Sequence, residues 1–87
     1  MQEHILVIED TPSLREVISN SLKAESYLVS EADCAESAIE MLDDHEISII
    51  LCDLKLPGID GLEFIKKAKE LSCKAPIIVM TAYGSIE

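Results

Sequence analysis

ISIILCDLKLPGIDG, residues 47–61, opens with six residues of which five are apolar, then places a carboxylate, Asp53, before a loop containing Pro57, Gly58, Asp60 and Gly61. A short, continuous, isoleucine-rich run of this kind suits a strand of a parallel sheet covered on both faces. ISIILC (47–52) is therefore read as a buried strand, and HILVI (4–8) and PIIVMT (76–81) read the same way. YLVSEA (27–32) mixes polar with apolar positions, as a strand at the sheet edge would. A strand built for an interior that ends in an acid asks for an explanation beyond packing.

Helical patterns separate these runs. Thr11 is expected to cap the first helix, with Pro12 at the first helical position, where a missing N–H costs nothing. Leu14, Val17, Ile18 and Leu22 then recur on one face. Asp33 with Glu36 forms a capping-box pattern ahead of Ala35, Ala38, Ile39 and Leu42, and Asp60 with Glu63 repeats it ahead of Leu62, Ile65 and Ala68. The order β-α-β-α-β-α-β, without repeats, linkers or low-complexity segments, predicts an α/β fold with a doubly wound parallel sheet in a single domain.

Composition narrows the function. Hydrophobic residues make up 48% of the 87, enough for a core, while aromatics reach 3%, too few for base-stacking platforms. Seven basic against seventeen acidic residues give a net charge of −10, which repels phosphate backbones and argues against direct nucleic-acid binding. Cys34, Cys52 and Cys73 are odd in number and form no CxxC pair, which points to free thiols in a reducing cytoplasm. His4 and His45 stand alone, in surface or strand-end positions rather than as ligands. The N-terminus does not read as a signal peptide, and no apolar run approaches the roughly 20 residues that span a membrane.

The acids at strand ends carry the chemistry. The first strand runs into Glu9 and Asp10, the third into Asp53. If these strands are neighbours, three carboxylates meet at the edge where doubly wound sheets bind ligands. Like charges that close oppose one another's ionisation unless a cation lies among them. Mg2+ suits such a set, since it takes carboxylate and carbonyl oxygens together with waters and substrate phosphate. Thr81, at the end of the fourth strand, offers a hydroxyl to a phosphoryl oxygen. The competing reading makes each acid a turn or helix-start residue and Thr81 an ordinary β-branched strand end. It is weaker for three converging acids than for any one.

HILVIED (4–10), LCDLKLPGIDGLE (51–63) and PIIVMTAYGSIE (76–87) together resemble the receiver domain of two-component response regulators. VMTAYGSIE is further similar to regulators of the nitrogen-regulation type, which drive sigma-54-dependent transcription. The resemblance implies a flavodoxin-like sheet of order 2-1-3-4-5. It implies a phosphoacceptor signalling domain in the cytoplasm, not an enzyme beyond its own Mg2+-dependent phosphorylation and dephosphorylation. Asp53 would take the phosphoryl group from a sensor histidine kinase, and Glu9, Asp10, Asp53 and the backbone carbonyl of Lys55 would surround Mg2+. Thr81 would contact the phosphoryl group as the switch, and a C-terminal output domain, transcriptional in kind, would receive the signal.

Receivers of this kind continue through a fourth helix, a fifth strand ending in a lysine, and a fifth helix. None of these lies within residues 1–87, which are thus expected to hold the N-terminal portion of a receiver. An open fourth strand with apolar residues on both faces leads to the expectation of a homodimer. The alternative function is accordingly a non-switching receiver that acts as a dimerisation or interaction module. A haloacid dehalogenase-type phosphatase fails at Lys55, where that family would place a second aspartate. P-loop and dinucleotide-binding readings fail because Gly58, Gly61 and Gly84 do not make the required patterns.

Overall fold

A computed structural model describes residues 3–44, 46–54, 56, 60–71 and 73–80, and for 43 and 44 the backbone alone. In chain order its elements are β1 (His4–Ile8), α1 (Pro12–Ala24), β2 (Leu28–Ala32), α2 (Ala35–Asp44), β3 (Ile49–Asp53), α3 (Gly61–Glu70) and β4 (Ile77–Met80). The strands form one sheet of order β2-β1-β3-β4 with every pair parallel. Chain order reverses direction between β1 and β3, which sets the switch point at their carboxyl ends. The predicted sheet and edge position of β2 are both present.

Alternation along β1 divides the interior. Leu6 and Ile8 face one side, where Ile50, Cys52 and Leu56 meet Ala35 and Ala38 of α2 and Phe64 and Ala68 of α3. Ile5 and Val7 are buried on the opposite side, and α1 packs against β1 and β2. Burial on both faces is why HILVI reads as an unbroken apolar run. The fourth strand is less covered, with Ile78 at 52% and Val79 at 38% exposure among the described residues.

Several local expectations are corrected. β3 begins at Ile49 and includes Asp53, so Ile47 and Ser48 precede it; Ser48 donates its N–H to the His4 carbonyl at 2.7 Å. β2 begins at Leu28 rather than Tyr27, and β4 at Ile77 rather than Pro76. Thr11 occupies the cap of α1 with extended backbone, but its side chain makes no capping bond. Its own N–H is turned back to Glu9 Oε2 at 3.1 Å, while its carbonyl receives the Arg15 N–H at 2.9 Å. For α2, Ala38 N–H donates to the Cys34 carbonyl, which puts Cys34 rather than Asp33 at the cap. The expected device is present at α3, where the Asp60 carboxylate accepts the Glu63 N–H at 2.9 Å.

The face of α1 also differs from its apolar pattern. Leu14 and Val17 are exposed, and Ser19 is the buried residue of the helix. Its C-terminus is closed by a residue without a glycine's freedom: Ser26 has φ 73°. The Ser26 N–H reaches the Lys23 carbonyl and the Tyr27 N–H the Leu22 carbonyl, the paired bonds of a Schellman ending. No helix among the described residues is long and apolar enough to cross a membrane.

Candidate functional site

Register assembles the acidic cluster. Ile8 pairs with Cys52, so the residues that follow, Glu9 and Asp53, leave adjacent strands at the same level. Asp10 comes next, at the turn into α1. One oxygen from each of Glu9, Asp10 and Asp53 can be chosen so that all lie within 4.8 Å of one another. Glu9 is 3% and Asp53 6% exposed, whereas Asp10 faces solvent. The cluster is therefore open on one side and closed toward the sheet.

Backbone donors hold it in place. Glu9 N–H bonds to the Ala32 carbonyl at 3.0 Å, continuing the β1–β2 pairing by one step. The Glu9 carboxylate accepts from Thr11 N–H, and its carbonyl accepts from Arg15 Nη1 at 2.8 Å. Arg15 Nε lies 3.5 Å from Glu31 Oε1 on β2. On the other side, Leu54 N–H reaches the Met80 carbonyl at 2.8 Å and Asp53 pairs with Met80, the residue before Thr81. Gly61 N–H donates to the Leu54 carbonyl at 2.9 Å, which seats the start of α3 directly against the end of β3.

Burial raises the Glu9 carboxyl above its usual range, and the Asp53 carboxylate adds to this through a hydrogen bond and its charge; the Thr11 donor opposes both. Two buried carboxylates that oppose each other's charge are a set a divalent cation can neutralise. The donors are hard oxygens. Glu9, Asp10 and Asp53 would be the residues to hold Mg2+, an ion that prefers such oxygens. Cys52, adjoining Asp53, has its thiol pushed up to about 11 by burial and by the Asp53 charge, which leaves it inert as a nucleophile.

The sequence matches the family described as the response regulator receiver domain over residues 5–87. The chain belongs to that family. The receiver is 30% identical over 87 residues to sporulation initiation phosphotransferase F of Bacillus subtilis (strain 168), a match covering 100% of this chain and 70% of that protein. It is 31% identical over 83 residues to transcriptional regulatory protein ZraR of Escherichia coli (strain K12), covering 95% of this chain and 19% of that protein. Among solved structures, response regulator protein TrrA of Thermotoga maritima, in complex with Mg2+-BeF, superposes with a TM-score of 0.89 at 31% identity; the match covers 95% of this chain and 72% of that one. The receiver is thus a part of a signalling protein rather than a member of a classical enzyme family.

Of the residues singled out in the sequence, the structure brings Glu9, Asp10 and Asp53 together. Lys55 and Thr81 lie outside the described residues. Arg15 and Glu31 were not anticipated. The available signal was a cation five residues beyond Asp10, one turn into a helix that starts at an acidic strand end.

Proposed function

We propose that this receiver accepts a phosphoryl group on Asp53 and that Glu9, Asp10 and Asp53 hold the Mg2+ that accompanies the reaction. The convergence of three carboxylates at the β1 and β3 ends carries this reading. The Mg2+-BeF complex of TrrA, a relative of the same fold, supports it. In this reading the Lys55 carbonyl completes the ligand set and Thr81 contacts the phosphoryl group.

The chemistry follows from position. An Asp53 carboxylate oxygen attacks phosphorus of a phosphohistidine in line, the P–N bond breaks, and its electron pair stays with the imidazole. Such transfer needs alignment and neutralised charge more than acid–base groups. When bound, Mg2+ supplies the neutralisation. The protein supplies alignment: β3 delivers Asp53 to the carboxyl edge, α3 backs it through Gly61, and Thr11 N–H orients Glu9. The phosphodonor is a sensor histidine kinase, and the recipient of the signal is an output domain. Relatives named as transcriptional regulators, ZraR and FixJ, support transcriptional output.

In the complete receiver domain, acetyl phosphate with Mg2+ is expected to add one phosphoryl group, detected by intact mass, and Asp53→Asn to abolish it; residues 1–87 alone are expected to respond less or not at all. Equal labelling of the variant would show the acceptor to be elsewhere. A second reading, a dimerisation or interaction module, is favoured by the exposure of Ile78 and Val79 on β4. Sedimentation that finds a dimer lost in Ile78→Lys, with no phosphoryl uptake by the parent, would favour it.

A further inference from the structure

Arg15 stands outside the carboxylate cluster yet is tied to it. The β1–β2 pairing ends with the Glu9 N–H, and the carbonyl of the same residue is taken by Arg15 Nη1 at 2.8 Å. From there the same guanidinium turns its Nε toward Glu31 Oε1 of β2 at 3.5 Å. The arginine is one-fifth exposed and its partner two-fifths, so the pair contributes little to stability as a salt bridge. Its effect lies in geometry. The carbonyl it grips belongs to the peptide that joins Glu9 to Asp10, and that peptide sets the directions of both side chains.

We infer that Arg15, braced by Glu31, is a positioning residue for the divalent-cation site: it fixes the Glu9–Asp10 peptide so that both carboxylates meet the ion without touching the ion itself. This rests on the reading of Glu9, Asp10 and Asp53 as the Mg2+ ligands. Three bonds then fix Glu9: its N–H to Ala32, its carboxylate from Thr11, its carbonyl from Arg15. Without the third, the peptide can rotate and carry Asp10 away while the first two persist. An arginine suits the task because its rigid planar fork holds Nη1 and Nε on separate atoms at a fixed angle, whereas an ammonium directs its three donors from a single point.

Charge and geometry predict opposite signs, which makes the inference testable. A cation beside a Mg2+ site weakens metal binding by repulsion, so its removal strengthens binding if charge alone acts. Loss of positioning weakens binding. Mg2+ titration of the intact protein, followed by amide NMR at Glu9, Asp10 and Asp53 with folding checked by circular dichroism, is expected to show Arg15→Met weakening Mg2+ about tenfold, the lower range for outer partners of metal ligands. Arg15→Lys, which keeps the charge but not the fork, is expected to weaken it by a smaller factor; it carries the test if the methionine variant does not fold. Lys23→Met, at the far end of α1, is expected to stay within about twofold of wild type. Unchanged or tighter Mg2+ binding in the Arg15 variants, with wild-type binding intact, would overturn the positioning role alone. Absence of saturable shifts at these residues in the wild type would overturn the metal site, and the inference with it.

Discussion

Gly61 offers the sharpest structural perturbation of the site. A methyl group there would lie 2.8 Å from the Asp53 carbonyl oxygen, 2.9 Å from Leu54 Cα and 3.1 Å from the Leu54 carbonyl oxygen. All three atoms are backbone, so no rotamer relieves the contact. Ordinary packing requires the first turn of α3 to back away from β3 by about 0.6 Å. That stretches the Gly61 N–H bond to Leu54, now 2.9 Å, and disturbs the peptide that follows Asp53. Overpacking of this kind costs about 1–3 kcal/mol. Alanine recovers about 0.4–1 kcal/mol by restricting the unfolded chain. Gly61→Ala is therefore expected, at mid-range, to lose about 1.3 kcal/mol, or roughly 5–10 °C in Tm for a domain of this size. Urea denaturation at fixed pH, with and without Mg2+, measures it; the loss should be larger with Mg2+ because Asp53 is displaced as well. A variant as stable as wild type under both conditions would refute the close approach as a constraint.

Ser19 is 1% exposed and its hydroxyl has no hydrogen-bond partner among the described residues, so Ser19→Ala is expected to stabilise the fold by about 1 kcal/mol in urea denaturation. Glu9 has a raised carboxyl in the folded state, so its contribution to stability is fully present below the unfolded-state value, near 4.5, and is lost as pH rises through the folded value. Without metal, wild type is expected to lose stability relative to Glu9→Gln across that window. Mg2+, which takes the ionised form, should reverse the trend; parallel pH profiles for the two proteins would contradict it.

The sheet was legible because its signals are local. Unbroken apolar runs mark β1 and β3 and polar interruption at Ser30 and Glu31 marks the β2 edge, whereas the equally unbroken run of β4 lies at the other edge of the described sheet with Ile78 and Val79 exposed. The acids were legible because strand ends are close to fixed by those runs, and parallel pairing then brings Glu9 level with Asp53. Helix orientation was not. Leu14 and Val17 share the apolar stripe of α1, yet the helix turns Ser19 inward. A small side chain permits close approach, and which helix face approaches is decided by the sheet rather than by the helix. Thr11 illustrates the same point at the scale of one residue. Its cap position was readable, but the demand of the Glu9 carboxylate for a donor was not.

Residues around this site divide by the sign of their effect on two measurements. Glu9 and Asp53 are buried beside each other, so neutralising either, as in Glu9→Gln or Asp53→Asn, relieves repulsion in the metal-free protein and removes a ligand. Such variants gain stability and lose Mg2+. Arg15 and Gly61 contribute no ligand atom of their own side chains but hold the peptides on either side of the cluster. Their variants gain no stability and still weaken Mg2+. A site whose acids were merely turn residues would not divide in this way, because helix starts and turns lose stability when their carboxylates are replaced. The paired signs therefore test the metal-site reading at its foundation: a drop in metal-free stability for Asp53→Asn would place that acid among the structural residues.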